Sequence, residues 1–196
     1  MRRILTALAF SAAVACTRDR SGSAIPEGSG PLVVLYKAEQ GGARPPARGA
    51  KLAVWAAEPD RLHAEIVAPV GGVTHTLDAG GGRVCIVDVA QGIAYVGEDG
   101  TGALEALVGL SVSIADAVAA LLHGVAPSGL TVVRDGREDG ALPSVLRISD
   151  GERFLLLSRV RVDRARIDAD ALGTGLPPKH LPVRPLEALA EQSPRR

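Results

Sequence analysis

The sequence has little cysteine, few aromatic residues and no net charge. It contains two cysteines, aromatic residues make up 3% of it, and its formal net charge at pH 7 is zero. It also has no block of basic residues, whereas basic blocks and stacking aromatics are typical of nucleic-acid-binding proteins. Because these features are missing, the sequence predicts no nucleic-acid partner.

Catalytic and metal-binding motifs are missing as well. The four histidines lack the spacing of metal ligands, and neither a His-Glu-x-x-His motif nor a Gly-x-Ser-x-Gly elbow occurs. The glycine-rich segment 97–102 precedes a predicted helix, but it has no lysine and carries two carboxylates, which repel phosphate. The sequence therefore predicts a binding protein rather than an enzyme, with no metal ion and no cofactor.

The first fifteen residues have the three parts of a secretion signal. Arg2 and Arg3 form a basic start, residues 4–15 are largely apolar and uncharged, and residues 13–15 (Ala-Val-Ala) provide a cleavage site of small residues. The twelve residues 4–15 would rise about 18 Å as a helix, which is less than the roughly 30 Å core of a bilayer. The segment is therefore predicted to be a signal peptide and not a permanent membrane span.

Cys16 occupies the first position after this cleavage site, and residues 13–16 resemble the lipobox of bacterial lipoproteins. Three interpretations are open: an acylated lipoprotein, a plain secreted protein and an uncleaved anchor. The position of the cysteine favours the lipoprotein, in which acyl chains on Cys16 hold the protein on a membrane. By resemblance to enteric sorting rules, Thr17 in place of aspartate favours the outer membrane, with the protein facing the periplasm.

Composition divides the rest of the chain into three parts. Residues 16–30 form the lipidated cysteine and a flexible tether, residues 31–175 form one domain, and residues 176–196 form a proline-rich tail. Cys85 lies in an apolar run and has no partner if Cys16 is acylated, so it is predicted to be a buried, inert thiol. The chain is predicted to be a monomer.

Alternating apolar residues predict short strands, interrupted by two helices. Ser113 is predicted to cap the second helix, with Asp116 in a capping-box position, and Gly124 to end it. This order favours an α+β fold, with one curved antiparallel sheet and short helices over its concave face around an apolar cavity. Strands are predicted at 31–38, 49–57, 61–68, 72–79, 83–89, 92–97, 130–133, 142–148 and 153–162, and helices near 104–109, 114–123 and 186–191.

A series of landmarks runs along the domain. They are, in order, Asp60-Arg61-Leu62, the turn Ala68-Pro69-Val70-Gly71, the strands 74–79 and 83–88, the helix 104–107, Gly109-Leu110, the helix from Ser113, residues 121–124, and the closing segments 142–143, 150–151 and 154–162. Their order resembles that of the LolB family, the outer-membrane receptors that take lipoproteins from a periplasmic carrier and insert them. Two features depart from the family: the tether runs almost directly into Leu32 without a long helix, and the region 131–140 is short.

The resemblance implies a half-barrel whose apolar cavity holds acyl chains. It implies that acyl chains or lipoproteins are the ligands and that a LolA-like periplasmic carrier is a partner. It also implies that the turn formed by Pro69, Val70 and Gly71 projects into the membrane and drives insertion. For Val70, ordinary packing under the edge of the sheet is an equally open interpretation.

The predicted function is that of a membrane-anchored lipoprotein that binds acyl chains or lipoproteins and assists their insertion into the outer membrane. The alternative is a structural or interaction lipoprotein of the same fold with a solid core. Core packing explains each cavity candidate nearly as well as ligand binding does. The residues predicted to line the cavity or its lid are Leu62, Ile66, Leu77, Leu107, Val118, Leu121 and Leu122.

Overall fold

The computed structural model describes residues 31–41, 47–98, 102–135, 142–164, 168 and 171–192. The predicted signal peptide, the lipidation candidate Cys16 and the predicted tether lie outside these described residues. Most of the predicted domain and most of the predicted tail lie within them.

Ten strands form one open, curved sheet. Along the sheet their order is β10-β6-β5-β4-β3-β2-β1-β9-β8-β7, with the first strand of the chain near the middle. The strands are β1 (Leu32–Gly41), β2 (Ala47–Ala57), β3 (Arg61–Val67), β4 (Val73–Gly80), β5 (Arg83–Asp88), β6 (Ile93–Glu98), β7 (Thr131–Asp135), β8 (Val145–Ser149), β9 (Phe154–Arg164) and β10 (Val183–Pro185).

The sheet is mixed, so the predicted purely antiparallel sheet is wrong at one edge. β10 runs parallel to β6, whereas the other described pairs are antiparallel. The N–H of Ala94 donates to the carbonyl of Pro182, and the N–H of Leu186 donates to the carbonyl of Val96, both at 2.9 Å. Pro185 has no N–H to donate, which an edge strand tolerates. A three-residue strand that follows Pro182 and ends at Pro185 is too short to show alternation, so the sequence predicts only a tail there.

Three short helices accompany the sheet: α1 (Gly102–Val108), α2 (Ile114–His123) and α3 (Glu187–Gln192). The predicted cap of α2 is confirmed, because the hydroxyl of Ser113 accepts the N–H of Asp116 at 3.1 Å and donates to its carboxylate at 2.8 Å. Gly124 ends α2 in the left-handed conformation (φ 68°) that favours glycine.

Most of the buried side chains of the sheet lie on one face, which we call the inner face. Along β1, Leu32, Val34 and Tyr36 are buried, while Val33 and Leu35 between them are only partly buried. The buried residues of α1 and α2 belong to the same core. The helices therefore cover one face of the sheet, as the sequence predicts.

The residues after β9 pack closely against the sheet at 172–175, a segment that we call the strap. The guanidinium of Arg61 donates to the carbonyl of Leu172 at 3.1 Å. Gly173 has φ 63°, and a Cβ at that position would lie 2.1 Å from the carbonyl oxygen of Ala79. No larger residue fits so close an approach of two backbones, which explains the glycine.

Candidate functional site

An apolar pocket lies between the inner face of the sheet and the helices α1 and α2. Strands β2, β3, β4, β8 and β9 line it on one side, and α1, α2 and their connection line it on the other. Its volume is about 80 Å³, which holds only a few water-sized groups. Sixteen of its seventeen lining residues are apolar, and His75 is the exception. Such a lining suits a hydrocarbon group and offers little to a polar one.

A wider cleft of about 370 Å³ adjoins the pocket. Gln40, Lys51 and Thr74 give the cleft a partly polar lining, and Leu189 of α3 closes one side of it. The two spaces therefore place an apolar interior beside a partly polar region. They share the lining residues Leu52, Ile66, His75, Leu107, Val108 and Leu155.

The structure brings most of the predicted cavity residues together. Five of the seven line the apolar pocket, namely Leu62, Ile66, Leu77, Leu107 and Leu121. Val118 and Leu122 lie elsewhere in the core: Val118 is 1% exposed and Leu122 is partly buried.

The geometry of α2 explains which of its residues reach the pocket. Ala117 and Leu121 both line it, and a spacing of four residues places them on one face of a helix. Val118 and Leu122 each follow by one residue, so they point about 100° further round the helix axis. The apolar face of α2 is wide enough to bury both pairs. The position of the helix on the sheet decides which pair reaches the pocket.

Several pocket residues come from strands that the sequence does not single out. Leu52 and Val54 on β2, and Leu155 and Leu157 on β9, line the pocket beside the predicted residues of β3. On β9, Leu155 and Leu157 are buried and alternate with the less buried Phe154 and Leu156. All four are apolar, so the sequence itself does not distinguish the inner face there. The sequence does not say that β2 and β9 both flank β1, and this arrangement brings the two pairs to one pocket.

The turn between β3 and β4 carries an exposed valine. Val70 is 96% exposed, so it does not pack under the sheet edge, and that interpretation is wrong for the described residues. The N–H of Gly71 donates to the carbonyl of Ala68 at 2.9 Å, with Pro69 in the second position of the turn, which suits its fixed φ. Gly71 and Gly72 have φ of 92° and 86°, values that favour glycine.

This turn lies at the same end of the sheet as the cleft. The β2–β3 register pairs Lys51 with Val67, the last residue of β3, and the β3–β4 register pairs Ile66 with His75. Lys51, Ile66 and His75 line the cleft, so the residues that flank the turn also form the cleft. The exposed valine and the adjoining spaces therefore belong to one end of the molecule.

His75 and Asp88 form a polar pair at this end. They lie opposite each other on β4 and β5, with 4.0 Å between the Nε2 of His75 and the Oδ2 of Asp88. Asp88 is 8% exposed and is the one buried charged side chain among the described residues. Its other oxygen accepts the N–H of Gln91 at 2.9 Å, which fixes the carboxylate to the β5–β6 turn.

A second polar cluster lies on the opposite face, under the strap. The Nδ1 of His63 lies 3.3 Å from the Oδ1 of Asp78, and the Nε2 of His63 lies 3.6 Å from Glu65. The Oδ2 of Asp78 accepts the N–H and the hydroxyl of Thr174 at 3.0 and 3.1 Å, and the N–H of Gly175 at 3.2 Å. Asp78 therefore joins the sheet to the strap.

The pKa values of both groups are shifted by this pairing. The hydrogen bond with Asp78 raises the pKa of His63, and this effect exceeds the opposing effect of burial. Burial favours the neutral form of Asp78, but the hydrogen bonds from His63 and Thr174 outweigh it and lower the pKa of the carboxyl. The cluster is therefore a stabilising ion pair when the histidine is protonated.

The pairing predicts a pH-dependent stability. Because the pKa of His63 is raised in the folded state, its contribution is complete below the ordinary value of 6.5 and is lost as the pH rises through the folded-state pKa. The contribution of Asp78 is present above its ordinary value of 3.8 and is lost as the pH falls through its lowered pKa. We expect the native chain to lose melting temperature relative to His63→Gln when the pH is raised from about 5.5 to about 8.5.

The matched control is His180→Gln, since His180 is exposed. This variant should track the native chain at both pH values in thermal unfolding followed by circular dichroism. A constant difference between the native chain and His63→Gln across this range would contradict the assignment.

Two further titratable groups are buried. Burial raises the pKa of the Cys85 thiol to about 11, with a smaller contribution from the charge of Asp78. Cys85 is 2% exposed and free, so the predicted buried thiol is confirmed. Burial raises the pKa of Tyr36 to about 12, and Arg159 partly opposes this.

The described part of the chain holds no cluster of three or more His, Cys, Asp or Glu side chains arranged as metal ligands. Within the same residues, none of the helices has the length and apolar character needed to cross a bilayer.

Comparisons with protein-family models and with curated protein sequences find no match. The resemblance to the LolB family therefore rests on the order of the landmarks along the sequence. Two of those landmarks have a clear place in the fold, since Asp60-Arg61-Leu62 opens β3 and residues 68–71 form the turn that exposes Val70.

Proposed function

We propose that this protein is a membrane-anchored lipoprotein that binds acyl chains and assists the insertion of acylated proteins into the outer membrane. The observation that carries the proposal is the apolar pocket between the curved sheet and its helices, with sixteen apolar residues among seventeen. An apolar space inside a small domain costs stability, because its lining atoms lack contacts there. Binding a hydrocarbon chain gives such a space a use.

The position of Val70 supports the second half of the proposal. A valine that is 96% exposed loses no packing when it enters a lipid interface, and it gains by leaving water. The turn and the cleft lie at one end of the sheet, so a ligand leaving the cleft is released close to the membrane that the turn contacts. The proposed acyl chains on Cys16 hold the domain near that membrane.

In this proposal the domain is a half-barrel of the LolB type that works as a monomer and without catalysis. The carrier that supplies its acylated cargo is a LolA-like periplasmic protein. Transfer needs no nucleotide if the affinity for the acyl chains rises from carrier to receptor to membrane. Binding of the acyl chains is then the measurable first step.

A structural or interaction lipoprotein with the same fold is the second candidate. The observation that favours it is the pocket volume of about 80 Å³, well below the roughly 300 Å³ at which ligand pockets commonly begin. For an acyl chain to enter, the pocket must merge with the adjoining cleft of about 370 Å³, which requires residues shared by the two, such as Leu107 on α1, to move. In the second candidate this movement does not occur.

A direct binding measurement separates the two candidates. We expect the mature chain (residues 16–196) with Cys16→Ser, which has neither acyl chains nor the apolar signal segment, to bind a fluorescent fatty acid and a palmitoylated peptide with saturable, blue-shifted emission. Saturable binding of neither probe, in a sample that unfolds cooperatively, would sink the proposal and favour the structural role.

A further inference from the structure

His75 is the one ionisable side chain that lines the apolar pocket, and it lines the adjoining cleft as well. It therefore stands where an apolar space meets a partly polar one. The polar end of an amphiphile whose tail fills the pocket would lie at this boundary. A histidine is not required there by packing, because the residues beside it on the inner face, Leu77 on β4 and its β3 partner Ile66, are apolar.

The buried carboxylate of Asp88 defines what kind of polar group fits. At 4.0 Å, Asp88 attracts the ring of His75 but does not form a hydrogen bond with its Nε2. The ring therefore keeps an N–H that can donate to a third group. Because Asp88 is held by the N–H of Gln91 and is 8% exposed, its charge stays beside the ring.

We infer that His75 binds the uncharged carbonyl of an acyl ester or amide, with Asp88 as its positioning residue and the hydrocarbon tail in the apolar pocket. This inference rests on the proposed function. A carbonyl oxygen accepts the N–H of His75 without a charge of its own. A free carboxylate at the same place would face Asp88, whose charge offsets any positive charge on the ring, and the two anions would repel.

Lys51 is the other charged residue at the cleft, and it does not reverse this preference. Its side chain is exposed, so water and salt screen its attraction for an anion. The pair His75 and Asp88 therefore selects the acyl group by the charge of its polar end. The chemical class of the ligand is an ester or amide of a fatty acid rather than the free acid.

The test compares two probes with the same twelve-carbon tail, 1-monolaurin as the ester and laurate as the acid, each below its critical micelle concentration. The mature chain (residues 16–196) with Cys16→Ser is titrated by displacement of a fluorescent fatty-acid analogue. We expect monolaurin to bind about tenfold more tightly than laurate, the size of one well-formed hydrogen bond. His75→Leu should remove this preference, and His75→Gln, which keeps an N–H donor, should retain most of it.

Asp88→Asn supplies an independent measurement, since asparagine still accepts the N–H of Gln91 but carries no charge. We expect this variant to bind laurate more tightly than the parent does. Equal affinities of the parent for the two probes, or an unchanged preference in His75→Leu, would overturn the inference and leave the proposed function standing. Failure of the parent to bind either probe would overturn both.

Discussion

Replacement of Val70 by glutamate is expected to reduce the binding of the unacylated chain to lipid vesicles by roughly tenfold to a hundredfold. Moving a valine from water to the bilayer is favourable, whereas an acidic side chain costs a few kcal/mol at the same depth. Val70 is 96% exposed, so the substitution meets no neighbour in the folded protein. Cosedimentation of the mature Cys16→Ser chain (residues 16–196) with vesicles gives the binding constant.

The stability of the Val70→Glu variant separates a membrane contact from a packing contact. Exposed surface substitutions usually change the free energy of unfolding by less than about 0.5 kcal/mol, and Val70→Glu should stay within this range if Val70 makes no packing contact. The matched control is Val125→Glu: Val125 is 56% exposed in the loop after α2. That loop is near the β2–β3 turn, since His123 pairs with Glu58, and it therefore lies at the other end of the sheet. Equal loss of vesicle binding in both variants would refute a specific role for Val70.

Filling the apolar pocket should have opposite effects on binding and on stability. Ala64 lies on the inner face of β3, opposite Val54 and Leu77, and lines the pocket. We expect Ala64→Ile to weaken binding of the fluorescent fatty acid by at least about tenfold, because the branched side chain takes the space of the ligand. A cavity of 80 Å³ costs up to about 2 kcal/mol at about 24 cal/mol per Å³, so the free energy of unfolding should stay equal or rise.

The control for this substitution is Ala53→Ile. Ala53 precedes Val54 on β2 and therefore points to the opposite face of the sheet, and it does not line the pocket. This variant should bind the probe like the parent. Denaturant unfolding and probe titration of both variants give the two quantities. Loss of stability together with loss of binding in Ala64→Ile would indicate overpacking of a solid core, which is the structural alternative.

Local sequence signals predicted most elements because they depend on neighbours along the chain. The capping hydroxyl of Ser113 and the left-handed Gly124 act within one helical turn, and both are found at the ends of α2. The strands β3 to β6 follow one another as hairpins, so the order in the chain is also the order in the sheet. The alternation along these strands places Leu62, Ile66 and Leu77 at the pocket.

The sequence did not predict which strands pair when they are far apart along the chain. β9 returns to pair with β1 across more than a hundred residues, and this contact brings Leu155 and Leu157 beside Leu52. Nothing local to either strand selects its partner, because any two strands of similar alternation satisfy the same hydrogen bonds. The same reason applies to β10, which pairs with β6 through three residues, and to the strap, whose carboxylate partner Asp78 lies 96 residues before Thr174.

The sequence by itself determined a fold of short strands and short helices, the caps of α2, a buried Cys85 and an apolar set of cavity candidates. These follow from burial and local geometry, which periodicity and capping residues encode. Only the tertiary structure decided that the edge of the sheet is parallel, that Val118 and Leu122 face away from the pocket, and that Val70 is exposed. It also placed His75 at the boundary of the pocket, opposite Asp88. The physical reason is that the sequence has balanced charge, few aromatic residues and no catalytic or metal-binding motif, so the site is defined by which apolar faces meet in space.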